Sequence, residues 1–246
     1  SAAVVKGTQL ARALGAEVEL FHALSDPLIV REDDGPARGP RALEAAGIAE
    51  ARARLERVAA RIRRHDVVAH VHAAWDFPAH EAIVRRALGM RADLLVADAH
   101  GGPHRAPWLL TYADWELLRL AGCPVLLTKS ARPWRRPAVL AAVDPSHAHA
   151  KPARLDTQIL EVANLLREAL RGRLELVHSF EPPLFAGLGM DAAGVRESAA
   201  LASGAEREAR RRLDALAATH RLGNVRRHLP QAAPAAAIAA VARQAG

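Results

Sequence analysis

Apolar residues in this chain follow two patterns, short apolar runs and longer stretches of helical period. Runs typical of buried strands cover residues 18–24, 93–98, 125–128, 138–144 and 173–180, and weaker alternation predicts strands over 67–73 and 224–229. Apolar positions spaced three and four apart predict helices over 3–14, 41–64, 112–120, 154–170, 193–221 and 234–244, with another that opens at Pro78. Strands that alternate with helices of this length predict an α/β fold, in which parallel sheets are covered by helices on both faces.

The chain nearly repeats itself at an offset of 156 residues. The segment 19–22, Glu-Leu-Phe-His, matches the segment 175–178, Glu-Leu-Val-His, and the same offset carries Pro78 onto Pro234. Self-similarity at this spacing is too long for a solenoid and suits two copies of one domain.

The repeat also indicates which strands have no counterpart inside this sequence. The strand over 138–144 would have its partner before residue 1, and the strands over 94–96 and 125–127 would have theirs beyond residue 246. We therefore expect a fragment of two tandem open parallel-sheet domains, which lacks the first strand of copy one and the last strands of copy two. The expected bounds are 1–130 for copy one, 131–136 for a linker and 137–246 for copy two.

The chain is basic, with a net charge of +7 and a sequence pI of about 10.7. Such a charge suits a polyanion partner, for example nucleic acid. The cations are spread along the chain, however, and those over 41–64 most simply form the solvated face of a helix. Aromatic residues make up only 4%, which leaves little for a base-stacking platform. The pattern favours ordinary solvated helices and keeps nucleic acid as an alternative partner.

Cysteine content and apolar run length bear on the compartment. Cys123 is the only cysteine, so the chain has no intrachain disulfide framework, and this fits a reducing compartment. No apolar run approaches the ~18 residues that a membrane-spanning helix needs. We therefore expect a cytoplasmic protein without a membrane segment.

Ligands of an open parallel sheet bind at the carboxyl ends of its strands. Asp144, Pro145 and Ser146 stand at such an end in copy two, where the Asp144 carboxylate could accept a hydrogen bond from an amine or a ribose hydroxyl. Asp144 could equally start a turn or cap the next helix. Ser179 and Phe180 end the next strand of copy two, where a backbone carbonyl and an apolar wall could frame a ring.

A glycine pair, Gly101 and Gly102, follows the strand of copy one that ends at Asp98. Two adjacent glycines could let backbone amides approach a phosphate, but so short a pair is more typical of a simple turn. Asp98 argues against phosphate, because a like charge at 4 Å costs about 4 kcal/mol at an effective dielectric of 20.

Metal binding and catalysis have weaker signals. Histidines at 70, 72, 100 and 104 could suggest a metal site. However, His-x-His is typical of one strand face, and no carboxylate or thiolate partner is evident in the sequence, so we predict no metal site. Ser146 has no nucleophile-elbow sequence around it, and no paired carboxylates stand out at a shared strand end. The sequence therefore indicates no catalytic residues.

Four segments together carry a resemblance to a known family. They are the strand end over 143–146 (Val-Asp-Pro-Ser) and the segments 75–83 (Trp-Asp-Phe-Pro-Ala-His-Glu-Ala-Ile), 114–119 (Asp-Trp-Glu-Leu-Leu-Arg) and 123–127 (Cys-Pro-Val-Leu-Leu). With the alternation of elements, they resemble the universal stress protein family, and more narrowly its tandem type. The resemblance covers almost the whole chain and implies an adenine nucleotide alpha hydrolase-like fold.

The resemblance implies that the two copies differ in their ability to bind a nucleotide. ATP-binding members carry Gly-x-x-Gly, nine residues, then Gly-Ser or Gly-Thr, after the fourth strand. On this sequence the first glycine falls at Asp98, the second at Gly101 and the final pair at Thr111-Tyr112, so one glycine of three is present. The resemblance thus argues against ATP in copy one and makes this segment, with Gly102, a degenerate phosphate loop.

In copy two, the resemblance implies an adenine site. Asp144 matches the adenine-contacting acid of the family, with Pro145 and Ser146 beside it. Ser179 and Phe180 lie near the position whose backbone contacts adenine, and the phosphate loop would follow Gly246. The implied cofactor is therefore ATP, in copy two only.

The sequence indicates a stress-response protein that acts as a ligand-binding or regulatory module rather than an enzyme. Three alternatives stay open, which are a slow ATPase or nucleotidyl transferase, a polyanion-binding protein and a binder of an apolar small molecule. The partner is an unidentified protein or small molecule. We expect the two copies to pair as a pseudo-twofold dimer within one chain, so that the protein is monomeric in solution.

Overall fold

The computed structural model describes residues 1–24, 40–99, 113–146, 152, 154–181 and 192–245. The chain divides into two compact units, Ser1–Pro133 (unit 1) and Trp134–Gly246 (unit 2). The segment 131–136, which we expected to be a linker, spans the boundary between the units. None of the helices in the described ranges combines the length and the apolar character that crossing a membrane requires.

Unit 1 alternates helices with strands throughout its described residues. In chain order its elements are α1 (Ala2–Leu14), β1 (Val18–Leu24), α2 (Pro40–Arg63), β2 (Ala69–Trp75), α3 (Ala79–Gly89), β3 (Leu95–Asp98), α4 (Ala113–Leu120) and β4 (Val125–Thr128). Strands β1 and β2 pair in parallel with Val18 opposite Ala69, and β3 and β4 pair in parallel with Leu95 opposite Val125. The two pairs are separate two-stranded sheets.

Helix α1 bridges the two strand pairs of unit 1, because it packs against β1, β3 and β4. The helix begins at Ser1, whose Oγ accepts a hydrogen bond from the backbone nitrogen of Val4. It ends at Gly15, whose φ of 64° is the left-handed conformation that favours glycine. A core of small residues around Ala59 lies between α1, α2 and β2, and a second core joins α3, α4 and β3.

Unit 2 is built on one three-stranded sheet. In chain order its elements are β5 (Ala138–Ala142), α5 (Leu155–Ala169), β6 (Arg173–Val177), α6 (Ala192–Thr219), β7 (Arg226–His228) and α7 (Pro234–Ala245). The strands are all parallel in the order β5-β6-β7, with Ala138 opposite Arg173 and Glu175 opposite Arg226. The core centres on Leu160, Leu176 and Leu213, which α5, β6 and α6 bury almost completely.

The start of β6 is held against β5 by a close approach of two backbones. The backbone nitrogen of Arg173 donates to the carbonyl oxygen of Pro137 at 3.0 Å. A Cβ atom at Gly172 would lie well inside van der Waals contact with that same carbonyl oxygen. Only glycine fits at this position without a shift of the backbone, so Gly172 fixes how β6 enters the sheet.

The α/β class with open parallel sheets, predicted from the alternation of elements, is confirmed. Boundaries shift by a few residues. The strand predicted over 67–73 lies at Ala69–Trp75, and the one predicted over 93–98 begins at Leu95. The strand predicted over 173–180 ends at Val177, although hydrogen bonds from the backbone nitrogens of His178 and Phe180 continue the pairing toward the segment after β7.

Candidate ligand site at the strand ends of unit 2

The residues predicted as a ligand site in unit 2 follow two neighbouring strands. Asp144 comes just after β5 and leads into the turn of Pro145 and Ser146. Ser179 and Phe180 follow β6, and Phe180 forms a parallel bridge to Gln231 beyond β7. Because β5, β6 and β7 are parallel, all these positions lie at the carboxyl edge of one sheet.

A serine–histidine contact joins the ends of β5 and β6. The Oγ atom of Ser146 lies 3.0 Å from Nε2 of His178, and Nδ1 of His178 lies 3.2 Å from the carbonyl oxygen of Val143. His178 is only 3% exposed, whereas Ser146 is partly exposed. A carbonyl oxygen can only accept, so Nδ1 carries a proton and donates it to Val143.

Asp156 fixes the turn that carries Asp144. Its Oδ1 atom accepts a hydrogen bond from the backbone nitrogen of Asp144 at 3.1 Å. Asp156 is buried in the first turn of α5, where a carboxylate is favoured by the helix dipole. The strand end is thus tied to the helix that follows it, and Asp144 is presented at a defined place on the edge of the sheet.

Arg212 brings a cation to the same edge from helix α6. Its Nη1 atom donates to the carbonyl oxygen of Ser146 at 3.1 Å, and its Nε atom donates to Glu208 at 2.6 Å. The side chain is 46% exposed, so the guanidinium can contact solvent or a ligand. A positive charge therefore flanks the side of the site next to Ser146.

A buried carboxylate orders the middle of the same sheet. Glu175, on β6, is 3% exposed and accepts hydrogen bonds from Nε of Arg173 at 2.8 Å and from Nε2 of His228 at 2.6 Å. Burial raises the pKa of Glu175, but the hydrogen bonds from Arg173 and His228 outweigh it and hold the pKa below its ordinary value. This cluster links β6 to β7 and so supports the edge where the site lies.

Unit 1 has a different arrangement at the end of β3. The Oδ1 atom of Asp98 accepts a hydrogen bond from the backbone nitrogen of Ala3 at 2.6 Å and lies 3.1 Å from Oγ1 of Thr128. Burial raises the pKa of Asp98, but hydrogen bonds from Ser1, Ala3 and Thr128 outweigh it and keep the pKa below its ordinary value. The rest of the predicted degenerate phosphate loop, Gly101, Gly102, Thr111 and Tyr112, lies outside the described residues.

The two histidines that the repeat makes equivalent have different surroundings. His178 is buried beside β5, whereas His22, at the matching position of β1, is exposed. Within the described residues, β1 pairs only with β2, and the strand that the repeat would place beside His22 would lie before residue 1. The serine–histidine contact is observed in unit 2.

The structure places two of the four histidines that suggested a metal site, His70 and His72, while His100 and His104 lie outside the described residues. Across residues 1–24, 40–99, 113–146 and the later described ranges, no group of three or more His, Cys, Asp or Glu side chains is placed to hold a metal ion. His70 does have a carboxylate partner, which the sequence did not reveal, since its Nε2 lies 2.9 Å from Glu17. His72 stacks on Phe21 with ring centroids 5.7 Å apart. The His-x-His pair thus makes contacts of an ordinary strand face.

Sequence reasoning missed three contributors to the site, which are Asp156, His178 and Arg212. His178 lies in the repeated segment 175–178, and its position at a strand end could have marked it. Asp156 could have been noticed as an acid in a helical first turn. Arg212 is one of many arginines in its helix and carries no distinguishing signal.

Comparison with known proteins identifies the family. The model of the universal stress protein family matches residues 2–129, just over half of the chain. The chain therefore belongs to the universal stress protein family. No curated protein is similar enough to this chain to count as a match.

Two solved structures show the same fold over nearly the whole chain. A protein of unknown function from Pseudomonas aeruginosa PAO1 is 19% identical, with a TM-score of 0.68 over 97% of this chain and 72% of that one. A universal stress protein from Archaeoglobus fulgidus is 17% identical, with a TM-score of 0.62 over 98% of this chain and 78% of that one. At these identities the likeness concerns the fold alone.

Proposed function

We propose that unit 2 binds an adenine nucleotide at its strand ends, and that the protein acts in the stress response as a ligand-binding or regulatory module. The observation that carries this proposal is the contact between Ser146 and His178. It holds polar groups of two neighbouring strands together at the edge where open parallel sheets bind ligands. The family resemblance adds that Asp144 stands where members contact adenine.

The groups at this edge suit the parts of a nucleotide. The Asp144 carboxylate accepts hydrogen bonds and matches an exocyclic amine or a ribose hydroxyl. Phe180 offers an apolar surface on which a ring could pack. Arg212 supplies a cation near Ser146, to which a phosphate would be attracted.

Unit 1 is not part of the proposed site. The Asp98 carboxylate already occupies the N-terminus of α1, where an anionic ligand would otherwise find backbone donors. A phosphate there would meet an ionised carboxylate that is itself held by hydrogen bonds. The proposal therefore assigns one nucleotide to each chain.

The arginines of α6 favour a nucleotide site over a broad polyanion surface. Arg210 pairs with Glu206 at 3.6 Å, and both Arg211 and Arg212 pair with Glu208. Acids one helical turn away thus offset the charges of Arg210 and Arg211, as is typical of a solvated helix face, whereas Arg212 also reaches the carbonyl oxygen of Ser146 at the strand ends. Retention on DNA that falls steeply with salt would instead support the polyanion alternative.

Calorimetric titration of the intact protein with ATP, AMP and adenosine tests the proposal. We expect all three to bind, and Arg212→Gln to weaken ATP by about 2- to 5-fold while adenosine is unaffected, as suits a half-exposed cation. Arg210→Gln, on the same helix, is the matched control and should leave all three affinities unchanged. Absence of binding by any adenine compound would refute the proposal, and steady release of phosphate from ATP would replace it with the ATPase alternative.

The proposal includes three finer expectations. The chain is of the tandem type and resembles universal stress protein E, on the strength of the segments 75–83 and 114–119. The single cysteine is consistent with the cytoplasm as its location. The intact protein is monomeric, which sedimentation equilibrium would test directly.

A further inference from the structure

Helix α2 of unit 1 carries a line of exposed arginines on the side that faces away from the core. Ala59 and Ile62, on the opposite side of the helix, belong to a core of unit 1. The exposed side chains follow a spacing of three and four residues, so they share one face. At a rise of 1.5 Å per residue, they extend over about 15 Å. We call them the arginine row, which consists of Arg54, Arg57 and Arg61 with Arg64 directly after the helix.

The arginine row has no counter-charge within the described residues. None of its members forms an ion pair there, since Glu56 pairs with Arg63 instead and Glu50, one turn before the row, forms no ion pair with it. Like charges one turn apart repel each other and destabilise a helix. On α6, by contrast, Arg210 and Arg211 have acidic partners. Helix α2 therefore keeps an uncompensated line of cations in contact with solvent.

A line of guanidinium groups fits a partner whose negative charges are also arranged in a line. The sugar–phosphate backbone of a nucleic acid has this arrangement, and the guanidinium fork matches phosphate oxygens. An anionic membrane fits less well, because a helix that binds lipid needs an exposed apolar face beside its cationic face. Between residues 41 and 76, the only exposed large apolar side chain is Val68, which lies outside the helix.

The composition of α2 favours a duplex over a single strand. Residues 40–63 contain no aromatic side chain, on which the bases of a single strand could stack. They also contain no Asn or Gln, the side chains that read adenine. In a duplex the bases are already stacked, and regularly spaced phosphates remain accessible to cations. The row can therefore contact the backbone without reading the sequence.

We propose that the arginine row binds the phosphate backbone of duplex nucleic acid without sequence preference. This surface belongs to unit 1, so the proposal does not depend on the nucleotide site proposed for unit 2. The two proposals therefore stand or fall separately.

Fluorescence anisotropy of a short labelled DNA duplex, titrated with the intact protein, tests the proposal. If all four arginines contact phosphates, log affinity should fall against log salt with a slope of about −3.6, which weakens binding on the order of 100-fold between about 50 and 200 mM salt. Duplexes of different sequence should bind equally well. If no duplex binds at the lower salt concentration, the proposal is wrong and the nucleotide proposal still stands.

A triple variant with Arg54→Gln, Arg57→Gln and Arg61→Gln assigns the binding to the row. Affinity for the duplex should fall about 3- to 150-fold, if each contact has the strength of an exposed ion pair. The salt slope should become shallower by about 1 for each arginine removed. The melting temperature and the calorimetric affinity for ATP should stay close to those of the wild type, because the three side chains are exposed and lie in unit 1.

The matched control removes the same three charges from α6, through Arg207→Gln, Arg210→Gln and Arg211→Gln. This variant should retain the duplex affinity and the salt slope of the wild type. An equal loss in both triple variants would refute the role of the row and support the polyanion alternative instead.

Two competitors distinguish phosphate from other anions. Polyglutamate, at the same concentration of charge, should displace the duplex poorly, because the row is proposed to match phosphates in a line. Vesicles that contain phosphatidylserine should bind the protein more weakly than the duplex does. Displacement by polyglutamate as effective as that by unlabelled duplex, or tighter binding to the vesicles, would contradict the proposal.

Discussion

The Oδ1 atom of Asp98 lies 2.6 Å from the backbone nitrogen of Ala3, so a side chain at the end of β3 caps the first turn of α1. A carboxylate is favoured there because the helix dipole gives the first turn a partial positive charge. Thr128, at the end of β4, lies 3.1 Å from the same oxygen. Asp98, which the resemblance predicts to stand in the first glycine position of a phosphate loop, thus has a structural role in unit 1.

Asp98→Ala should destabilise unit 1. The variant removes a helix cap, which costs about 0.5–2 kcal/mol of the free energy of unfolding. Amide hydrogen exchange in α1 and β3 should accelerate accordingly, while exchange in unit 2 stays unchanged. The exposed Asp93, close by in the chain, provides a control, since Asp93→Ala should have little effect. Unchanged exchange in α1 of the Asp98 variant would show that the cap contributes nothing.

Gly172→Ala should destabilise unit 2. The new Cβ atom would collide with the carbonyl oxygen of Pro137, and relief of such overpacking costs about 1–3 kcal/mol. Gly204, inside α6, has no atom within 4 Å of an added Cβ, so Gly204→Ala should instead stabilise the unit by about 0.5–1 kcal/mol. Thermal unfolding of both variants measures the effects. Equal shifts of the melting temperature would contradict the account of how β6 enters the sheet.

The stability of unit 2 should depend on pH through Glu175. Its pKa in the folded state lies below the ordinary value of 4.5, so the unfolded chain binds more protons and stability rises with pH in that range. The contribution is complete above about pH 4.5 and is lost as the pH falls through the folded-state pKa. Glu175→Gln should therefore lower the free energy of unfolding at pH 7 and flatten its acid dependence.

Denaturant unfolding of unit 2, followed between pH 3 and pH 7, checks this prediction. The loss in Glu175→Gln at pH 7 should be about 1–3 kcal/mol, because the buried amide lacks the negative charge that strengthens the hydrogen bonds from Arg173 and His228. Glu161→Gln, on the exposed side of α5, is the matched control and should leave the pH profile unchanged. A wild-type profile that is flat across this range would contradict the role assigned to Glu175.

Much of the fold could be predicted from the sequence because the spacing of apolar residues differs between strands and helices. The strand at Val18–Leu24 was predicted to the residue, and the helix at Leu155–Ala169 to within one residue at each end. Boundaries were less accurate where pairing, rather than apolar character, decides the end. Val67 is apolar and buried, yet β2 begins only at Ala69, where the ladder with β1 begins.

The site was only partly accessible to sequence reasoning. Asp144 and Ser146 could be singled out because a strand end in a parallel sheet is a known place for ligands. Their partners Asp156, His178 and Arg212 come from three other elements, and their approach depends on how α5, β6 and α6 pack. The burial of Glu175 could not be predicted either, since a charged residue in a short strand is expected to face solvent. Only the structure shows that Arg173 and His228 contact it.

Nucleotide stoichiometry in the intact protein, measured by calorimetry with ATP, tests most directly the claim that unit 2 alone binds. We predict one ATP per chain, an affinity about 10- to 150-fold weaker in Asp144→Ala through loss of a charge-assisted hydrogen bond, and unchanged affinity in Asp98→Ala. An unaltered melting temperature in Asp144→Ala would show that the weaker binding does not result from a loss of folded structure. Two ATP molecules per chain, or full affinity in Asp144→Ala together with a lowered melting temperature, would contradict the account and leave Asp144 as a turn residue.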